Sequence, residues 1–148
     1  MKNKTLAAWL AFVGGPFGLH RFYLHGLSDW LGWLLPLPTL VGAYGVLRMD
    51  SLGQDDALSW VLVPLLGFTV AGCCLTAIVY GLKKPAEWNG RFNPTADPEA
   101  ADGATGWLTV WAIALALMIG AGVLMASIAI SFQGYFQDQV EAGRRISE

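Results

Sequence analysis

The chain is short of charge. Only 14% of its 148 residues are Asp, Glu, Lys or Arg, where soluble domains carry about 25%. What charge there is lies in bands: Lys2 and Lys4, Arg21, Arg48 to Asp56, Lys83 to Asp102, and the residues after Gln137. The stretches between them are almost uncharged. A bilayer imposes such banding, because its core holds no water to solvate an ion. Basic runs are scarce too. None exceeds two residues and the net charge is −2, so no nucleic-acid partner is expected. No serine or cysteine nucleophile stands with a paired base, and no phosphate-cradling glycine loop follows a strand. An enzyme is therefore not expected, and neither catalytic residues nor a cofactor site are assigned. Cysteine is limited to the adjacent pair Cys73 and Cys74 within an apolar stretch. Neighbours in sequence bridge only with strain, so both are read as small packing residues. A small-x-small cleavage site is missing after the N-terminal apolar run, which is expected to remain as an uncleaved span.

What the sequence has in quantity is long apolar runs. The hydrophobic fraction is 55%, and the pattern predicts an all-α membrane protein with about four transmembrane helices. The first run, Thr5 to Leu19, would rise about 22 Å as a helix, short of a hydrocarbon core of roughly 30 Å. It ends among Gly14, Gly15, Pro16 and Gly18, where a break near the interface is expected. The second, Trp30 to Leu47, carries tryptophan at one end and Tyr44 near the other, as interfacial belts do. Pro36 and Pro38 predict a kink or local unwinding inside it. The third, residues 57–82, is uncharged, with Trp60 and Tyr80 placed as anchors. Residues 83–106 are polar and rich in helix breakers, and read as a solvated, mobile loop. The fourth, residues 107–132, repeats small residues every four positions at Ala112, Ala116 and Gly120, a spacing that lets membrane helices approach closely. Packing within the bundle is the simpler use of that stripe, and self-association the other. Residues 133–148 form a polar C-terminal tail in which a short amphipathic helix would be weakened by Gly134 and Gly143.

One segment is unusual: Gly14-Gly15-Pro16-Phe17-Gly18-Leu19-His20-Arg21-Phe22-Tyr23-Leu24. It resembles the TM2 domain, a membrane module of two helices in which a glycine-rich helix end precedes a His-Arg-Phe-Tyr type sequence and a second hydrophobic helix. Lys2, Lys4 and Gly32 fit the same pattern, and the resemblance covers residues 2–47. It departs in the extra residue that Pro16–Phe17 inserts before Gly18, and in His25, where the module often has glycine. The resemblance implies a hairpin of the first two helices and no particular activity. Gly14, Gly15 and Gly18 are read as helix-packing residues.

Arginine at bilayer depth is costly, so Arg21 must reach water, lipid phosphate or a carboxylate. Asp29 is the nearest acid and would meet it only if the chain folds back. His20, Arg21, Phe22, Tyr23 and Asp29 are therefore the candidate contacts for a partner or for lipid, with an interfacial clamp as the structural alternative. On a helix His25 and Asp29 share a face that His20 leaves, so no metal site is expected.

The expected protein is a non-enzymatic scaffold or accessory subunit of a membrane complex, with a small oligomeric channel or transporter as the alternative. An enzyme working at the membrane surface through His20, Arg21, His25 and Asp29 is more distant. Its partners would be the lipid bilayer, and itself or another membrane protein. Its place would be the cytoplasmic (inner) membrane if bacterial. Four spans, with Lys2 and Lys4 flanking the first, predict both termini in the cytoplasm.

Overall fold

The computed structural model describes residues 1–147; Glu148, the last residue of the expected tail, lies outside them. Every regular element among the described residues is helical. Helix α1 spans Lys4–Gly14 and is opened by Asn3, whose side chain accepts from the Leu6 N–H. Its 11 residues rise only about 16 Å. A 3-10 turn at Gly15–Phe17 and Gly18, at φ 74°, then reverse the chain into α2, Leu19–His25.

Helix α2 runs back alongside α1. Gly14 meets the Leu19 side chain at the tip. At the other end the Asn3 N–H donates to the Tyr23 hydroxyl at 2.7 Å, and Ala7 and Leu24 share one core cluster. The tip rests against Cys73, well inside the long helix α5. The first two helices thus form a half-depth hairpin that returns to the end of the bundle from which it started.

Helix α3, Trp30–Leu34, and α4, Pro36–Leu52, form one 23-residue apolar rod interrupted at Leu35. The interruption falls beside Pro36, which takes the first helical position of α4, where its missing N–H costs nothing. Helix α5, Ala57–Leu82, runs antiparallel to α4, and helix α6 follows at Pro85–Phe92. After a 3-10 turn at Ala101–Gly103, α7 extends from Trp107 to Ser147 without a break.

Three helical stretches are long and apolar enough to cross a membrane: α3–α4, α5 and α7. About four were expected; α1 is too short, and α2 doubles back instead of crossing. At most 22% of the apolar window in each is buried inside the protein. Leu40, Leu47, Val61, Leu75, Leu117 and Met118 are among the large side chains left on the outside. In water this would be an apolar patch far beyond what monomers expose; in a bilayer it is the lipid-facing wall.

The core is built from small residues. Ala11 of α1, Cys74 and Ala77 of α5 and Ala116 of α7 are all buried in one cluster. Ala112 is fully buried, and Gly120 lies against Cys74 with no room for a Cβ. Gly42 and Gly45 of α4 press on the backbone of α5 at Leu66 and Leu62. Without a hydrophobic driving force between helices in lipid, close backbone approach supplies the dispersion contacts that hold a bundle together.

Two segments differ from the sequence-based expectation. Residues 83–106 are not simply a solvated loop. They contain α6, whose Trp88 and Asn89 are buried. Pro85 at the first helical position, Glu87 in the first turn and Arg91 in the last are the signals that start and charge-balance a short helix. The tail is not a separate short helix either: α7 continues through Gly134 and Gly143, its 41 residues reaching about 62 Å.

Candidate functional site

Two turns of the same construction stand at opposite ends of α3–α4. In the first, Arg21 reaches across to Asp29, with Nε donating to Oδ2 at 2.5 Å and Nη2 to Oδ1 at 3.3 Å. In the second, Arg48 donates from Nε to Asp56 Oδ2 at 2.6 Å and from Nη2 to Oδ1 at 2.9 Å. Each pair is separated by eight residues, and each turn is made by a glycine with positive φ, Gly26 at 84° and Gly53 at 83°. Four residues beyond each aspartate a tryptophan donates its indole N–H back to the turn. Trp33 bonds the Leu27 carbonyl at 2.9 Å, and Trp60 bonds the Gln54 carbonyl at 2.8 Å. The shared pattern is Arg, five residues to Gly, three to Asp, four to Trp. It recurs 27 positions apart, from Arg21 to Arg48, with no run of identical residues to mark it.

The chemistry explains the recurrence. A bidentate guanidinium–carboxylate pair satisfies both charges at the edge of an apolar phase. The Arg21 hydrogen bond holds the Asp29 carboxyl below the usual carboxylate range. Asp56 is held down to about 2, first by its bond to Arg48 and then by the Ser59 hydroxyl, which donates to it at 2.5 Å. Asp56 also caps α5 by accepting the Ser59 N–H. Arg21 was expected to face a partner, a carboxylate or lipid phosphate; it is engaged by Asp29, and Asp29 also lies 3.9 Å from His25 Nδ1.

The rest of the His-Arg-Phe-Tyr sequence is spent on packing. Phe22 packs at a tilt against Trp33, with centroids 5.1 Å apart, and fills the space above Gly32. The Tyr23 hydroxyl accepts from Asn3. Gly18 is obligatory twice over: its φ is positive, and a Cβ there would strike the Gly32 carbonyl of α3. His20 points away from Asp29 and His25. Its ring lies 6.0 Å from the Tyr80 ring, it is 4% exposed, and its Nδ1 has no hydrogen-bond partner. Burial, and then the adjacent Arg21 charge, push the His20 imidazole down to about 4, so the ring is neutral at physiological pH.

The end of the bundle that holds the first turn is closed by a network that sequence reasoning missed. Lys2 is pinned under α6. Its carbonyl accepts from Trp88 Nε1 at 2.8 Å and from Asn93 Nδ2 at 3.1 Å, and its N–H donates to Asn93 Oδ1 at 2.6 Å. The Lys2 ammonium donates to the Leu24 carbonyl. Lys4 is fully buried, and its ammonium donates to the Lys83 carbonyl at 2.8 Å and to Thr105 Oγ1 at 2.6 Å. Burial lowers its pKa. Asn89 ties the following loop in through the Pro98 and Ala100 carbonyls. Among the described residues no group of three histidine, cysteine or acidic side chains is placed to hold a metal ion.

Fold and site together define a helical membrane protein with three candidate spans, clamped turns at both ends and a polar cap at one. Comparison with family models, with curated proteins and with solved structures returns no match.

Proposed function

We propose that this is a non-enzymatic integral membrane protein that serves as a scaffold or accessory subunit, holding another membrane protein through the far end of α7. The observation that carries this is the projection of α7. Residues Trp107 to Phe132 already provide about 39 Å, more than the hydrocarbon core requires. The helix nevertheless continues to Ser147, and Tyr135, Phe136, Val140 and Ile146 are exposed along that extension. Apolar side chains beyond the lipid phase, on an ordered helix among charged residues, suit a protein partner. The test is purification of the tagged chain in mild detergent beside the double variant Phe136→Glu/Val140→Glu. The reading expects a stoichiometric companion that the variant loses while it still inserts in the membrane. A chain that elutes alone in both forms would overturn it.

We further infer that residues 2–47 are a TM2-type module whose first arm enters the bilayer without crossing it. The Gly14–Leu24 sequence and its fold-back support that assignment. On this reading the bilayer is crossed three times, and the termini lie on opposite sides. The expectation of both termini in the cytoplasm depended on four crossings and is replaced here. The basic residues then divide clearly. Lys2, Lys4, Arg21, Lys83, Lys84 and Arg91 belong to the α6 end, and Arg48, Arg144 and Arg145 to the other. The positive-inside rule makes the α6 end and the N-terminus cytoplasmic, and the C-terminus external. With four crossings the same residues divide almost evenly and decide nothing.

A further inference from the structure

We propose that the face of α7 turned away from the bundle pairs with α7 of a second copy of this chain, as a parallel coiled coil running from the bilayer into the water beyond it. This rests on the reading that the far end of α7 is an interface, and it names the partner there. Met118, Met125, Phe132, Gln139 and Ile146 recur every seven residues. Gly122, Ala129, Phe136 and Gly143 fall between them, at alternating steps of four and three. All nine are exposed. This is the inner-position pattern of a coiled coil, and a strict repeat of seven makes a seam that a second helix wound along it covers. Gly120, Ser127 and Gly134, also seven apart, lie on the opposite side of the helix, where they meet Cys74, Gly67 and Trp60 of α5. The bundle therefore uses the other side of α7 and leaves the seam unpartnered.

Lipid chains cover such a seam within the bilayer but not past it. Past Phe132 the seam continues, and the charged side chains up to Ile146 avoid it. Asp138, Glu141, Arg144 and Arg145 all fall on the other half of the helix. Gln133, Tyr135, Val140 and Ala142, which flank the seam, carry no charge. Flanking charges are what select a different helix or repel an identical one. With none here, an identical copy is accepted. Gln139, the polar residue of the seam, suits the same partner: an amide both donates and accepts, so across a two-fold axis it bonds its own mate. Gly143 points the same way. Glycine weakens a helix in water, and in the single chain a Cβ at Gly143 would meet nothing within 4 Å. In a pair it lets the two backbones approach, as Gly122 and Ala129 do within the bilayer. The bias of basic residues inserts every copy the same way round, so the two helices meet in parallel and in register.

The experiment uses the full chain in its native membrane, with Cys73→Ala and Cys74→Ala, single cysteines placed along the extension, and copper phenanthroline as oxidant. Gln139→Cys, Gly143→Cys and Ile146→Cys should each give a disulfide-linked pair of doubled mass. Asp138→Cys, Glu141→Cys and Arg145→Cys should not, because their sulfurs lie on the far sides of the two helices, out of bonding reach. Gly122→Phe enters open space in the single chain, so the fold is kept; it should wedge the pair apart and abolish the Ile146→Cys cross-link. Two differently tagged copies with their native cysteines should also purify together in mild detergent. Cross-linking without this period, or an Ile146→Cys cross-link untouched by Gly122→Phe, would overturn the pairing. A different protein bound at the end of α7, with no link between copies, would overturn it too while leaving the interface reading intact. A chain that purifies alone and does not cross-link would overturn both.

Discussion

At the residue scale, charge at the edge of an apolar phase is handled by pairing. Arg21 and Asp29 satisfy each other, and both are mostly buried, their side chains 25% and 10% exposed. Arg91 stands on α6 with its guanidinium 5.5 Å from the Phe92 ring centroid, a surface contact of small worth. Arg21→Ala leaves a carboxylate without its cation and should lower the melting temperature more than Arg91→Ala does; thermal shift in detergent, monitored by size-exclusion, checks the order. His20 gives a second expectation. Its folded pKa of about 4 lies below the ordinary 6.5, so between those values the unfolded chain binds more protons than the folded one. Stability is then fully present above about pH 6.5 and declines as the pH falls toward 4. Tyr80 lies beside the ring, and the charges of Arg21, His25 and Asp29 act on it from a distance; all four remain in His20→Phe. That variant should have a flatter melting profile between pH 6.5 and 4 than the wild type.

The pairing of Arg21 with Asp29 was legible as a conditional statement: the two meet if the chain folds back. What the sequence did not display was the destination of Lys2 and Lys4. They look like positive flanks of a span, yet both are bound to backbone carbonyls from elsewhere in the chain. Their partners are contributed by Leu24, Lys83, Thr105 and the α6 region, and contacts across such separations leave no local pattern.

At the scale of elements, glycine does two different things. Gly18 and Gly26 both have positive φ, but a Cβ at Gly18 would run into the Gly32 carbonyl, whereas one at Gly26 meets nothing within 4 Å. Gly26→Ala should cost only the backbone strain, about 1–3 kcal/mol at φ 84° and ψ 174°. Gly18→Ala adds displacement of α3 from the hairpin tip and should be clearly the more destabilising of the two in the same thermal assay. The stripe on α7 makes a related expectation. Ala116 touches the cluster of Ala11, Cys74 and Ala77, so Ala116→Leu should overpack it at a cost of about 1–3 kcal/mol. Denaturation in mixed micelles would measure this, and a neutral result would contradict the packing of α1, α5 and α7 described above.

Apolar length and small-residue spacing made α5 and α7 readable from sequence. Composition alone hid α6, because Asn, Gly and Pro dominate its neighbourhood and signal a loop. The signals for helix were present in Pro85, Glu87 and Arg91, but the helix is only eight residues long, too short to show a convincing period. The first run was ambiguous for a different reason. Its length fell between a span and a half-span, and the contacts of Asn3 with Tyr23 and of Ala7 and Lys2 with Leu24 show that α2 returns.

At the scale of the whole molecule, the repeated turn organises the protein. Arg–Gly–Asp–Trp spacing places a charged clamp and an indole at each end of α3–α4. Tryptophan favours the interface, where its ring is in the apolar phase and its N–H is near polar groups. Two such turns bracket one helical stretch long and apolar enough to cross a membrane, and Arg21 ties the hairpin of α1 and α2 to the first of them. The cap of α6 over Lys2 and Lys4 fixes the N-terminus to the connection between α5 and α7. The N-terminus and Thr95 therefore share one end of the bundle, and the C-terminal part of α7 leaves from the other.

That arrangement is tested most directly by locating three points on the intact protein in its native membrane. Single-cysteine or epitope tags at the N-terminus, after Thr95 and at the C-terminus would be probed with an impermeant reagent before and after lysis. The account predicts the N-terminus and Thr95 on the cytoplasmic side and the C-terminus outside. An N-terminus and Thr95 on opposite sides would mean that α1 crosses the bilayer, and would contradict the three-crossing topology.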